Sequence, residues 1–143
     1  MIALAAAFAL LAACTGKGKP PTKAAGTQLL VKRVSLSWGF QVEGEMTDVF
    51  LATTDETGKQ VSHPIGRYKG TCAKITPAKE MGSPTGAACT TPEGGTELHA
   101  VVQGNQVVVM QMRTQPGATP DPMAREEVTR VGVPLGAEIE AAP

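Results

Sequence analysis

The chain has 143 residues and a formal net charge of zero, so one folded domain is expected and no overall field favours nucleic acid as a partner. It holds only three Phe, one Trp and one Tyr, against 16 Gly and 11 Pro. The core must therefore rely on aliphatic side chains and Met, and the Gly and Pro content predicts many turns and few long helices.

Residues 1–13, MIALAAAFALLAA, carry no polar side chain. The run is shorter than the roughly 20 apolar residues that a membrane-spanning helix needs. Its length is typical of the apolar region of a secretory signal peptide. No basic residue precedes the run. Either translation begins upstream, which we favour, or the terminal amine alone supplies the positive charge of a signal peptide.

The sequence Leu11-Ala12-Ala13-Cys14 follows directly and gives way to polar residues. An aliphatic residue, two small residues and a Cys after an apolar run resemble the lipobox of bacterial lipoproteins. The resemblance implies a diacylglyceryl group on Cys14, cleavage before it and acylation of the new amino terminus. Two or more acyl chains anchor a protein stably. By resemblance to the sorting rule of enterobacterial lipoproteins, Thr15 in place of Asp after the Cys implies the outer membrane, with the protein facing the periplasm or the cell surface.

Residues 15–26, TGKGKPPTKAAG, contain no large apolar side chain. Such a segment cannot bury a core, and as a coil of twelve residues it spans about 17–21 Å. The sequence therefore predicts a signal peptide at 1–13, a lipidated Cys and flexible linker at 14–26, and a single β domain at 27–143.

Apolar residues recur at alternate positions from Leu30 to Phe40, which predicts a strand. Met46–Thr54 is a second candidate strand, followed by a turn at residues 55–58. Lys59–Gly70 resumes the extended pattern, and Pro64 within it indicates an edge strand or a bulge.

The clearest hairpin is predicted over Thr96–Thr114, where two apolar runs flank the turn pair Gly104-Asn105. We expect one face of it to carry Leu98, Ala100 and Val102 together with Val108, Met110 and Met112.

The C-terminal part begins with a Pro-rich loop at residues 115–122. A short helical turn could follow, with Asp121 as its cap and Pro122 at its first position. Glu126–Val133 and Leu135–Ile139 could supply the closing strands. The pattern as a whole predicts an all-β domain, an antiparallel β-sandwich or a small β-barrel of about six to eight short strands.

Cys72 and Cys89 remain once Cys14 is lipidated. An even pair in an exported chain predicts a disulfide. A metal site with His63 and His99 is arithmetically possible, but the spacing matches no zinc motif. We therefore expect neither a metal nor a cofactor.

Motifs for nucleophilic, metal-dependent or nucleotide chemistry are absent from the sequence, which favours a non-enzymatic protein. Glu43 and Glu45 flank a Gly and are expected in a solvated turn. His63 and His99 are expected at the surface.

A tyrosine between two cations, in Arg67, Tyr68 and Lys69, is the best candidate for a recognition patch. The alternative is an edge strand whose charges block aggregation.

Together these features predict a membrane-anchored envelope lipoprotein whose β domain binds a partner protein or assists envelope assembly. The alternative is a module that binds a small ligand or inhibits an enzyme, in the manner of lipoprotein lysozyme inhibitors.

Overall fold

The computed structural model describes residues 31–118 and 121–143. The described residues form nine strands and two short 3₁₀ turns, the latter at Lys79–Met81 and Pro122–Ala124. The strands are β1 (Arg33–Glu43), β2 (Met46–Asp55), β3 (Gln60–Lys69), β4 (Thr71–Ile75), β5 (Thr85–Thr91), β6 (Gly94–Gln103), β7 (Gln106–Thr114), β8 (Glu126–Gly132) and β9 (Glu138–Ala141). The predicted signal peptide, Cys14 and linker lie outside the described residues, as does the start of the predicted domain at residues 27–30.

The strands build two sheets, a four-stranded one in the order β9-β1-β2-β3 and a five-stranded one in the order β4-β5-β6-β7-β8. Neighbouring strands are antiparallel except β9, which pairs with β1 in parallel. Trp38 Nε1 donates to Thr85 Oγ1 of the other sheet (3.1 Å), and Tyr68 Oη donates to Gln111 Oε1 (3.2 Å). The all-β prediction is confirmed, and of its two alternatives the sandwich is the one observed.

The core follows from the period-two pattern of the strands. In β1, Val34 and Leu36 are buried while the charged residues at its ends are exposed. The opposite sheet contributes side chains from β5, β6 and β7, and burial of this apolar area is the main force that holds the sheets together. The fully buried side chains include Leu36, Val49, Leu51, Leu98, Val107, Val108 and Val109.

The third strand shows both features that Pro64 predicted. It is an edge strand of the four-stranded sheet, and its register with β2 shifts between Val49 and Phe50. Val49 pairs with Gly66 and Phe50 with Pro64, which leaves Ile65 as the extra residue of a bulge.

The predicted hairpin is present as β6 and β7, joined by Gly104 and Asn105, but the expected composition of its faces is wrong. A two-residue turn pairs Gln103 with Gln106, which places Met110 opposite His99. The two methionines of β7 therefore lie on the face of His99, and the face of Leu98 and Ala100 receives Gln111 and Val109 instead.

The segment between the two cysteines contains strands that the sequence analysis did not predict. Cys72 on β4 and Cys89 on β5 are direct neighbours in the ladder and form the predicted disulfide. Since β4 is an edge strand with β5 as its ladder partner, this bond holds the edge of the five-stranded sheet.

The C-terminal prediction is largely confirmed. Asp121 caps the 3₁₀ turn by accepting a hydrogen bond from Met123 N (3.0 Å), with Pro122 at the first position. The closing strands are β8 and β9. Leu135, expected in a strand, lies in the turn between them, where Pro134 interrupts the chain.

Candidate functional site

A groove of about 430 Å³ opens where three junctions of the chain meet at one end of the sandwich. These junctions are the β1–β2 turn, the step from β3 to β4 and the β5–β6 turn. Because the three junctions are far apart in sequence, only the fold brings their side chains together. The walls of the groove include Val42, Thr47, Lys69, Thr71, Thr90 and Glu93.

The floor of the groove is fixed by hydrogen bonds around Gly70, the residue that leads the chain from one sheet to the other. Thr47 is buried, and its Oγ1 donates to the carbonyl oxygen of Gly70 at 2.9 Å. The Gly70 N–H donates to the carbonyl oxygen of Glu45 at 3.0 Å. The floor therefore satisfies its own polar groups and is held in one conformation.

Gly70 also meets a steric requirement that no other residue satisfies. Its φ is +108°, a backbone conformation that L side chains rarely adopt, and a Cβ here would lie 2.2 Å from the carbonyl oxygen of Thr90. The close approach of the two sheets at the groove depends on the missing side chain.

The groove presents polar, charged and apolar groups together. Thr71 and Thr90 offer hydroxyl groups, Lys69 an ammonium group, and Glu45 and Glu93 carboxylates, while Val42 is 71% exposed and forms an apolar wall. Among the described residues that line the groove there is no His, Cys or Ser. A volume of this size lies within the usual range of small-molecule sites.

The predicted patch of Arg67, Tyr68 and Lys69 does not form one surface. Successive side chains of β3 point to opposite faces, so Tyr68 is half-buried and bonds the other sheet, and burial raises its pKa. Arg67 points outward, where it donates to both carboxylate oxygens of Asp48 (2.8 and 3.0 Å). Of the three residues, Lys69 is the one that lines the groove.

The ion pairs of Arg67 support the alternative interpretation of this segment, a charged edge strand. Its second partner is Glu43 at 2.7 Å. The hydrogen bond from Arg67 holds the pKa of the Asp48 carboxyl below its usual range. Glu43 ends β1 and Glu45 lies in the two-residue turn that follows, both exposed, as predicted for a solvated turn.

The two histidines differ in environment. His63 lies part-exposed on the edge strand β3. The prediction of a surface position for His99 is wrong, because its side chain is fully buried. Because successive side chains of a strand point to opposite faces, His99 lies on the outer face of the five-stranded sheet. The segment around Met81 and the chain at Arg125 cover that face.

His99 forms the centre of a partly buried polar chain. Its Nε2 lies 2.9 Å from Glu97 Oε1 and its Nδ1 lies 3.2 Å from Arg125 Nη1. A carboxylate accepts and a guanidinium donates, so the ring is protonated on Nε2 and accepts at Nδ1. Arg125 Nη1 also donates to the carbonyl oxygen of Met81 at 3.0 Å, and so one side chain joins two loops to the sheet.

A second cavity, of about 220 Å³, lies at the other end of β1. Its walls include Val34, Asp55, Lys59, Val61, Val133 and Pro134. The backbone of Lys32, just before β1, bonds both neighbouring loops: its N–H donates to Glu56 Oε1, and its carbonyl oxygen accepts from the Glu138 N–H at 2.7 Å. The described part of the chain therefore begins at this end of β1, opposite the groove.

No group of three or more His, Cys, Asp or Glu side chains within residues 31–118 and 121–143 is arranged to hold a metal ion. Nor does this part of the chain contain a helix long and apolar enough to cross a membrane. The chain matches no protein-family model, no curated protein and no solved structure.

Proposed function

We propose that the protein is a lipid-anchored lipoprotein of the bacterial cell envelope whose β domain binds a partner protein without catalysing a reaction. The lipobox at Leu11–Cys14 supports the anchor, and the Cys72–Cys89 disulfide is of the kind found in exported proteins. The observation that carries the binding role is the groove, with its rigid floor and mixed polar and apolar walls.

The position of the groove suits display from a membrane. The eleven residues of β1 extend over about 35 Å at the usual rise of a strand, with the start of the described chain at one end and the groove at the other. A flexible linker of about 17–21 Å then allows the groove to meet a partner well beyond the lipid headgroups. Thr15 after the lipidated Cys favours the outer membrane as the site of the anchor.

The anchor is tested by growing the producing bacterium with labelled palmitate. Label is expected on the native protein and not on Cys14→Ser, and the native protein is expected in the membrane fraction. An unlabelled, cytosolic native protein contradicts the proposal.

The binding site is tested with a photoreactive amino acid placed at Thr71 in the groove. Thr76, also an exposed threonine, follows the opposite end of β4 and gives a matched control. We expect envelope proteins to cross-link from position 71 and not from position 76. Equal cross-linking from both positions would remove the groove from the proposal.

A second candidate function is a small-ligand or enzyme-inhibitor module, because the groove volume suits a small molecule or a loop of an enzyme. Lysozyme inhibition by the purified domain would favour it. Loss of inhibition in Thr71→Arg, with Thr76→Arg unaffected, would assign that activity to the groove.

A further inference from the structure

Apolar side chains are exposed at the end of the domain where the described chain begins. Leu135, in the β8–β9 turn, is 84% exposed, and Val61, on the edge strand β3, is 41% exposed. Pro134, next to Leu135, lines the same cavity as Val61. We call Val61, Pro134 and Leu135 the linker-side surface.

Hydrogen bonds fix this surface close to Lys32, near the start of the described chain. Lys32 bonds Glu56 in the loop that precedes β3, and it bonds Glu138 just after the turn that carries Leu135. The loop before β3 and the end of the β8–β9 connection are therefore both tied to Lys32. The membrane that holds the lipid anchor is close to these segments, because the predicted linker spans only about 17–21 Å as a coil.

The charges at this end of the domain balance, with Lys32, Arg33 and Lys59 against Asp55, Glu56 and Glu138, so no net charge repels it from a phospholipid headgroup region. Each of the three carboxylates has a local partner: Asp55 accepts from the Thr57 and Lys59 N–H groups, Glu56 accepts from the Lys32 N–H, and Glu138 pairs with Arg33 at 3.8 Å. The ammonium groups of Lys32 and Lys59 form no ion pair within the described residues. Such side chains hold an apolar stem against a surface and keep the charge among anionic headgroups.

We propose that the linker-side surface rests on the phospholipid surface of the membrane that holds the anchor, with Leu135 inserted among the headgroups. This inference rests on the proposed lipid anchor. A short tether makes the contact intramolecular, at an effective concentration in the millimolar range. Two or three apolar side chains then suffice for a contact that would be too weak for the free domain.

The contact has a consequence for the groove, which lies at the other end of β1. While the linker-side surface touches lipid, the groove faces away from the bilayer and is open to a partner. The membrane thus orients the domain as well as retaining it.

The test uses the full lipidated protein in vesicles of phosphatidylethanolamine and phosphatidylglycerol. An environment-sensitive fluorophore is attached through Leu135→Cys or, as a control, through Met123→Cys. Met123 is a suitable control because it is similarly exposed (89%) but lies before the start of β8, whereas Leu135 follows the end of that strand. We expect a blue-shifted emission and a severalfold loss of quenching by aqueous iodide at position 135, and neither at position 123. A fluorophore attached through Val61→Cys should show the same blue shift and protection from iodide. Adding Leu135→Glu should abolish both effects while the protein stays in the membrane.

Three results overturn the inference. Equal quenching at positions 135 and 123 in a membrane-bound, palmitate-labelled protein excludes lipid contact and leaves the anchor intact. Signals that depend on the density of protein in the bilayer indicate contact with a second copy. A protein that carries no label and does not stay with the vesicles refutes the anchor itself.

Discussion

Opening the Cys72–Cys89 disulfide should destabilise the domain by about 3 kcal/mol. The two cysteines are 17 residues apart, and closing a loop of that size removes about 10 cal/mol/K of entropy from the unfolded chain, which is about 3 kcal/mol at 25 °C. The same bond ties β4 to the sheet, so its loss should also let this edge strand fray.

Urea unfolding of the oxidised and the reduced protein measures this effect without a change of sequence. With an m-value of about 1–2 kcal/mol/M, a loss of 3 kcal/mol lowers the midpoint by roughly 1.5–3 M. In native-state hydrogen exchange, the amides of β4 should lose protection before those of β6 and β7. The variant Cys72→Ala/Cys89→Ala serves as the control, because reductant should not change its stability.

Two results would refute this reasoning. An unchanged midpoint after reduction would mean that the ladder between β4 and β5, not the covalent constraint, holds the edge. Uniform loss of protection across the five-stranded sheet would mean that β4 does not open separately.

Three further predictions concern residues away from the disulfide. Arg125→Ala should lower the free energy of unfolding by about 1–3 kcal/mol, because it leaves a buried imidazole nitrogen without a donor; wild-type stability in urea would show that water replaces the guanidinium. Gly70→Ala should cost about 1–3 kcal/mol or more through backbone strain, whereas Gly44→Ala, with a positive φ but nothing within 4 Å, should cost less; equal losses in thermal unfolding would contradict the steric argument. Arg67→Gln should raise the pKa of Asp48 in a carboxyl NMR titration. Because the folded-state pKa of Asp48 is lowered, its contribution to stability is present above the unfolded pKa and is lost as the pH falls through the folded value; an unchanged titration would contradict the ion pair.

Local patterns in the sequence predicted those parts of the fold that depend on near neighbours. The alternation around Leu36, the Gly104-Asn105 turn and the Asp121 cap each involve residues a few positions apart, and all three are observed. Their physics is local, so a single sequence suffices to find them.

The missed features depend on partners that are distant in the chain. The inner strand β5 reads TGAACTT, in which Gly and Ala, residues depleted in strands, occupy three of the first four positions. It is a strand because β4 and β6 bond it on both sides. His99 looked exposed since its face lies opposite Leu98, and only the covering loops bury it. The groove escaped prediction for the same reason, since Thr47, Gly70 and Thr90 meet through tertiary structure alone.

The parallel pairing of β9 with β1 affects the order in which the domain can form. The last strand completes the sheet that the first strand began, and such non-local pairings are the slow ones in folding. A nascent chain that has not yet produced residues 138–141 lacks one edge of that sheet. This sheet therefore cannot close before residues 138–141 have been synthesised.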